Sequence, residues 1–354
     1  MKIFALVTDA FGGHGGIAQY NRDFLSACAT IPDLRITVLP RNGEGGINTP
    51  QGVTQLRGRK GEIVYSIVAA IKVFELRPVD MIFCGHLFMA PLAWVLAKLT
   101  GAKFWLQLHG IEAWERPSVL IRWVAEQADL VTVVSRCTRA RFLAWSRIEP
   151  SKVRVLPNTV DNRFKPGSKP AHLVQRYGLA GKKVLLTVSR LASGERYKGH
   201  DRVIQALPGL IKCHPDLVYL IAGDGDDQTR LVALARTENV TDHVRFIGRV
   251  AEDELPEIFR LADVYVMPST GEGFGIVFLE AAATGIPVIG GNCDGSLDAL
   301  ADNRLGQGVN PDDRDAICQV IKSSLDEPKR NVLATEIFGS ENFQNHVNRL
   351  LAMP

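Results

Sequence analysis

The sequence lacks a hydrophobic run that could cross a bilayer. Its longest apolar stretch, residues 88–97, is half the roughly 20 residues that a spanning helix needs. It also lacks paired cysteines. The six cysteines, at 28, 84, 137, 213, 293 and 318, include no CxxC and have no histidine at metal-ligand spacing. That excludes a zinc ribbon or a disulfide scaffold and predicts free, mostly buried thiols in a reducing compartment. No small-residue cleavage site follows the opening MKIFALVTDAFGG, which runs into Asp9 and a glycine loop. The expectation there is a first buried strand rather than a secretory leader. Internal repeats and low-complexity tracts are missing as well. With 46% apolar and 22% charged residues, disordered, collagenous and coiled-coil chains are excluded. At 354 residues the chain predicts two domains.

A charge of +3 hides an asymmetry. Residues 1–165 carry +8 and the remainder −5. Such a division suits a first half that meets something anionic, although chance scatter of surface charge gives the same sum.

Short apolar runs alternate with amphipathic segments. In the first half the strand-like runs are 3–8, 35–39, 81–84, 103–108 and 130–134, with helical patterns over 16–30, 62–76, 91–99, 118–127 and 136–146. A further run, 153–156, leads into Pro157, Asn158 and Asp161. A polar stretch punctuated by Pro166, Gly167 and Pro170 then reads as a linker. The alternation restarts with strands at 183–189, 217–222, 244–247, 264–267 and 287–289. Helices are expected at 199–213, 227–237, 252–261, 275–284, 312–325 and 329–351. Doubly buried runs joined by helices predict parallel sheets. The expected fold class is therefore α/β, with two doubly wound Rossmann-like domains facing across a cleft, where such sheets bind ligands. The expected boundaries are 1–165, 166–335 and a closing helix, 336–354, that packs back on the first domain.

Three glycine-rich loops are expected to follow strands and open helices. The first, Gly12-Gly13-His14-Gly15-Gly16, lets backbone amides approach an anion at a helix N-terminus. It is not GxGxxG, and no ribose-binding acid ends the second strand, which runs into Pro40-Arg41; this counts against a nicotinamide site. The second, residues 189–201, brings Arg190, Arg196 and Lys198 to a strand end, where fixed cations suit a diphosphate leaving group. In the third, residues 269–288, Glu272 lies in the loop and Glu280 about one helical turn in. Glu280 interrupts the apolar run IVFLEAAA, and a carboxylate there needs polar partners. Ribose hydroxyls would serve.

The Glu272-x7-Glu280 segment, with Gly273-Phe274-Gly275 and the following GIPVI, resembles the donor-site signature of retaining glycosyltransferases of family 4, which have the GT-B fold. The resemblance extends to Gly15-Gly16, His109-Gly110, Pro157-Asn158, Arg190 with Lys198, Gly223-Asp224-Gly225, Phe246-Ile247-Gly248 and the run 263–269. It implies an acceptor-side first domain and a nucleotide-sugar donor domain after it. Glu280 would bind the ribose, and Glu272 the transferred sugar. Arg190 and Lys198 would hold the diphosphate, helped by Gly16 and the adjoining helix N-terminus. The backbone of Phe274, Gly275 and Ile276 would pass along the sugar and phosphates. Gly223, Gly225, Ile247 and Arg249 would frame the base, and His109 would sit at the reacting face. This chain separates Arg190 from Lys198 by more residues than the family usually does, so Arg196 could take the phosphate instead. No metal and no cofactor is implied, in keeping with the absence of a DxD motif in a suitable loop.

The resulting reading is a hexosyltransferase. It would use a UDP- or GDP-linked donor and a sugar or polyprenyl-diphosphate-linked acceptor in polysaccharide or glycolipid assembly, with no nucleic-acid partner. A nucleotide-sugar epimerase or hydrolase of the same fold, or a nucleotide-sugar sensor, fits the same loops. Arg57, Arg59 and Lys60 precede the amphipathic stretch 63–76. Arg116, Arg122, Arg136, Arg139, Arg141 and Arg147 are interleaved with Trp114, Trp123 and Trp145. Cations beside amphipathic rings suit an anionic bilayer edge. The expected location is cytoplasmic, peripheral on the inner membrane face.

Overall fold

The computed structural model describes residues 1–45, 48–326 and 334–352. The chain divides into two compact units, one formed by 1–159 together with the segment from Ser340 onward, the other by Val160–Gly339.

The first unit opens with β1 (Lys2–Val7), α1 (Gly16–Ala29), β2 (Arg35–Pro40) and β3 (Val53–Gln55). It continues with α2 (Glu62–Glu75), β4 (Met81–Cys84), α3 (Ala90–Thr100), β5 (Lys103–Leu108) and α4 (Val119–Ala125). β6 (Leu130–Val133), α5 (Arg136–Trp145) and β7 (Val153–Val155) complete it. Its seven strands are all parallel, in the order β3-β2-β1-β4-β5-β6-β7. β1, β4 and β5 are buried almost throughout, which is why they read as continuous apolar runs. Right-handed crossovers put helices that lead in opposite directions on opposite faces. α1 leads one way, from β1 to β2. The crossovers through α2, α3 and α4 lead the other way, and their inner sides share one core with the sheet. Ser135 caps α5 by accepting from the Thr138 amide at 3.1 Å.

The second unit begins with α6 (Ala171–Arg176), β8 (Lys183–Val188), α7 (His200–Ile211), β9 (Leu217–Ala222) and α8 (Gln228–Thr237). Then come β10 (Val244–Gly248), α9 (Leu255–Leu261), β11 (Val264–Met267), α10 (Ile276–Ala283) and β12 (Val288–Gly291). α11 (Ser296–Ala299), β13 (Gln307–Val309), α12 (Arg314–Leu325) and α13 (Ala334–Phe338) follow. Its six parallel strands run β10-β9-β8-β11-β12-β13. The order reverses direction between β8 and β11. A doubly wound sheet binds its ligand at that switch point, beyond the carboxyl ends of the strands.

The last described helix, α14 (Ser340–Leu351), packs against α1 in the first unit. Phe343 meets Tyr20 edge-on at 6.0 Å, and Gln344 Nε2 donates to Thr30 Oγ1 at 2.6 Å.

The structure refines the sequence reading in particular places. The division falls after Thr159 rather than at 165, because Val160 pairs with Gly339 and Phe164 packs edge-on against Phe259, both within the second unit. The expected linker contains α6. The three-residue strands β3 and β13 are additions. α9 starts three residues later than expected, with Pro256 in its first turn, where a missing amide hydrogen costs nothing. The expected helix over 329–351 consists of α13 and α14; its first five positions lie outside the described residues.

Candidate active site

Two loops of the second unit leave neighbouring strands at the switch point. Residues 189–199 follow β8 and residues 268–275 follow β11. Backbone contacts lock the first of these. A Cβ on Gly223 would lie 1.8 Å from the Ser189 carbonyl oxygen, and one on Gly225 2.2 Å from that of Leu191. The Leu191 amide donates to Asp224 O at 2.7 Å, and the Asp227 amide to Leu191 O at 2.9 Å. Asp226 accepts from the Ser193 amide and hydroxyl at 2.7 and 2.6 Å. Gly223 and Gly225 were expected to frame a base; the structure shows them letting the cation loop lie directly on the loop after β9.

On this scaffold stands a chain of alternating charges. Arg190 pairs with Glu195 Oε1. Glu195 Oε2 lies 3.8 Å from Lys198 Nζ, and Lys198 Nζ donates to Glu272 Oε1 at 2.8 Å. Lys198, Glu195 and Glu272 are largely buried, whereas Arg190 is exposed. Burial pulls the Lys198 ammonium down, but the charge and hydrogen bond of Glu272, with Tyr197 and Glu195, more than offset it and hold its pKa above the usual lysine range. Lys198 is thus a fixed cation, as a diphosphate site requires. Arg196 goes elsewhere: its Nε donates to Asp227 Oδ1 at 2.9 Å, and Arg230 grips the same carboxylate at 2.8 and 2.6 Å.

Glu272 is aimed by a residue the sequence reading missed. Asp294 Oδ2 accepts from the Glu272 amide and from Ser269 Oγ, each at 2.7 Å, while Oδ1 accepts from the Ser296 amide at 2.9 Å. The Gly295 amide closes the clasp on Glu272 O at 2.8 Å. Burial raises the Asp294 pKa despite these bonds. Its only signal in the sequence is an acid set in small and apolar residues after β12.

Gly275 takes φ +89° and opens α10 without a side-chain cap. Gly199 and Gly15 likewise have positive φ before α7 and α1. Bare amide groups at such helix starts suit anionic oxygens. The Phe274 ring is buried edge-on against Phe338, leaving its backbone rather than its side chain for a ligand. Ile276 begins α10, and the half-buried Glu280 lies one turn in. Burial raises the Tyr265 pKa well above the usual tyrosine range, and the charges of Glu272 and Glu280 add to the shift. Ile247 lies in β10 at an irregularity in its pairing with β9, and Arg249 is exposed just beyond.

In the first unit Gly15 and Gly16 are exposed at the start of α1. Arg22 pins the preceding loop through Ala10 O and Gly13 O. His109 follows β5. Its Nε2–H donates to Gly85 O at 2.9 Å, and its ring meets Tyr20 edge-on at 5.0 Å. A carbonyl can only accept, so Nε2 carries the hydrogen and Nδ1 the lone pair. Burial lowers the His109 pKa to about 4, against the opposing charge of Glu112 and with help from His86. Near neutrality it is an uncharged acceptor. Among the described residues no cluster of three His, Cys, Asp or Glu could hold a metal, and no helix is long and apolar enough to cross a membrane.

Residues 19–159 match the family model of the glycosyl transferase 4-like domain, and residues 173–336 that of the glycosyl transferases group 1. A GDP-mannose-dependent alpha-(1-6)-phosphatidylinositol monomannoside mannosyltransferase of Mycolicibacterium smegmatis is 37% identical over 258 residues, 68% of this chain and 66% of that protein. The chain thus spans just under two thirds of that relative. A GDP-mannose-dependent monoacylated alpha-(1-6)-phosphatidylinositol monomannoside mannosyltransferase of Corynebacterium glutamicum is 31% identical over 341 residues, 89% of this chain and 86% of that protein. The crystal structure of Anabaena HepE in complex with UDP shares the fold, with a TM-score of 0.80 at 20% identity over 99% of this chain and 100% of the other. Two α/β units with parallel sheets, the charged loops at the second sheet's switch point and these matches carry one conclusion: the chain belongs to the family-4 glycosyltransferases, retaining enzymes of the GT-B type.

Proposed function

We propose that the protein transfers a mannosyl residue from GDP-mannose to a hydroxyl of a glycophospholipid, with retention of configuration, at the inner face of the membrane. The observation that carries the reading is the buried Lys198–Glu272 pair at the switch point, a fixed cation beside a carboxylate. The donor and the acceptor class follow the names of the two mannosyltransferase relatives. Lys198 and Arg190 take the diphosphate oxygens, with the amides opening α7 and α10 beside them. Glu280 accepts from the ribose hydroxyls and Glu272 from those of the mannose. Arg196, held by Asp227, is the secondary phosphate partner.

The chemistry is charge stabilisation and positioning. The bond from the anomeric carbon to the phosphate oxygen breaks. The acceptor oxygen bonds to that carbon on the same face, and its proton passes to the departing diphosphate. Lys198 and Arg190 neutralise the charge that grows on the leaving group. His109, neutral with a free Nδ1 lone pair, can accept from a sugar hydroxyl without adding charge.

The test is nucleotide release from GDP-mannose and from UDP-glucose, with and without a phospholipid extract dispersed in detergent. Release of GDP that depends on the extract, together with a mannosylated lipid, is expected. Release without acceptor would make the protein a hydrolase. Binding without turnover would make it a sensor, and turnover of UDP-glucose alone would overturn the guanine assignment.

A further inference from the structure

We propose that the outer side of the α2–α3–α4 layer, edged by residues 57–60, is the surface by which the protein lies on an anionic bilayer; this rests on the glycophospholipid-acceptor reading. The layer's inner side is ordinary core. Tyr65, Ala69 and Val73 of α2, Ala93, Leu96 and Ala97 of α3, and Val124 and Ala125 of α4 pack on the sheet. Its outer side departs from what a solvated helix layer shows. On α2, Ile63, Val64, Ile67, Ile71 and Phe74 are exposed, with Ile63 at 77%. Val95 and Leu99 of α3 and Val119, Leu120 and Trp123 of α4 continue the apolar surface, with Val119 at 80%. Trp94 and Trp123 meet edge-on at 4.8 Å and join the α3 and α4 parts.

An amphipathic helix on a globular protein turns its polar side outward. α14 does so: Phe343, Val347 and Leu350 are buried, and most of its remaining positions are polar. α2 instead is apolar on both sides, and its neighbours share the feature. A contiguous exposed apolar area of this kind marks an interaction surface.

The charges at its edge select the occupant. Residues 57–60 join β3 to α2, at the carboxyl edge of the sheet, where Ile63, Val64, Val119 and Leu120 also lie. Arg57, Arg59 and Lys60, with Gly43, Glu44, Gly58 and Val64, line an open depression of about 630 Å³. Arg77 lies over the Phe74 ring at 4.0 Å. A second copy of the chain would bring the same excess of cations to the contact. Lipid phosphates bring the opposite charge, and acyl chains cover the exposed aliphatic side chains. The more distant arginines belong to the fold. Arg139 donates to Val153 O at 3.0 Å and Pro150 O at 2.9 Å, and Arg141 stacks on Trp114 at 4.1 Å. Trp145 Nε1 donates to Ala113 O at 2.8 Å. Arg139, Arg141 and Trp145, expected from sequence to meet the membrane, thus have partners within the unit, and the surface lies on α2–α4.

The experiment is sedimentation with phosphatidylcholine vesicles and with vesicles of equal parts phosphatidylcholine and phosphatidylglycerol. It compares the wild type, Ile63→Ser with Ile67→Ser, Arg59→Ser with Lys60→Ser, and Arg141→Ser. GDP binding and thermal melting verify that each variant is folded. The wild type should pellet with the anionic vesicles, weakly with the neutral ones, and less at high salt. The two double variants should each lose about tenfold or more in vesicle affinity, the cation pair at about 1 kcal/mol per charge near an anionic surface and the isoleucine pair through lost apolar burial. Arg141→Ser should pellet like the wild type. Absence of wild-type pelleting, unaltered pelleting of the double variants, or its loss in Arg141→Ser overturns the proposal. So does self-association of the wild type that Ile63→Ser relieves, which would assign the surface to a second copy. Mannosylation of detergent-dispersed lipid without vesicle binding would overturn the surface alone, and vesicle binding without transfer would overturn the function alone.

Discussion

In the second unit, the loops at the switch point are pressed backbone on backbone and tied by Arg190, Glu195, Lys198 and Glu272. In the first unit, the loops at the carboxyl edge carry a bare glycine helix start, the neutral His109 and a fringe of exposed aliphatic side chains. The two sheets share a doubly wound topology, so under the proposed function the difference lies in what each edge would recognise. A diphosphate has a fixed shape and high charge, and preorganised cations reward rigidity. Under the proposed function, a lipid-borne hydroxyl would arrive from a fluid surface, and the edge that met it would need area and charge of one sign more than fixed geometry.

The comparison can be broken first at its glycines. Gly223→Ala forces a Cβ to 1.8 Å from a backbone oxygen at φ +141°, and neither backbone can yield. We expect loss of GDP binding and of cooperative melting. Gly15→Ala has φ +90° but open space around the Cβ, so it should cost about 1–3 kcal/mol of strain and leave the protein folded. Equal melting temperatures for the two variants would deny the second unit its special rigidity. Next in size is Lys198→Ala, which should lower kcat by about 100-fold or more. Arg196→Ala should cost less than tenfold, because its guanidinium is held by Asp227. The reverse order in steady-state kinetics would move the phosphate site by two residues. Glu280→Ala should then weaken GDP binding by about 1.5–3 kcal/mol in calorimetric titration, since ribose hydroxyls lose a charged acceptor.

Asp294→Asn keeps the shape of the clasp but removes its charge. We expect kcat to fall about tenfold with GDP affinity unchanged, a division that a merely destabilised domain would not give. The smallest effect concerns one histidine in each unit. Burial lowers His109 and His200 to about 4, from about 6.5 in an unfolded chain. Between those values the unfolded chain binds more protons, so stability falls as pH drops from about 6.5 toward 4. His200→Gln, which retains a donor for Ser189, should show a shallower loss of melting temperature between pH 7 and pH 5. An unchanged slope would remove His200 from that balance.

The alternation of apolar runs and amphipathic segments carried most of the fold, because strands buried on both faces leave a strong mark in the sequence. β3 and β13 have three residues each, too few to show a period. α6 lies just after Pro170 in a stretch whose composition reads as linker. In the site, the loop residues from Arg190 to Lys198 and from Glu272 to Glu280 were legible from their type and place. Asp294 was not, since its partner comes from elsewhere, Glu272 lying 22 positions away; the Lys198–Glu272 pairing, across 74 positions, was equally hidden, although both residues were named. The apolar outer side of α2 was visible as an amphipathic stretch. Only the position of the sheet shows which of its two apolar sides remains uncovered.

The first unit is discontinuous in the chain, and that constrains its synthesis. Residues 1–159 leave the ribosome with α1 still lacking α14, and all of the second unit must follow before Ser340–Leu351 appears. Until then Tyr20, whose hydroxyl anchors Gln107 at 2.7 Å and whose ring edge supports His109, has no Phe343 beside it. A chain stopped at Gly339 therefore holds all of the second unit and an unfinished first one. His109 gains its full support last, so vectorial synthesis supplies the whole of the second unit before the scaffold of His109 is complete.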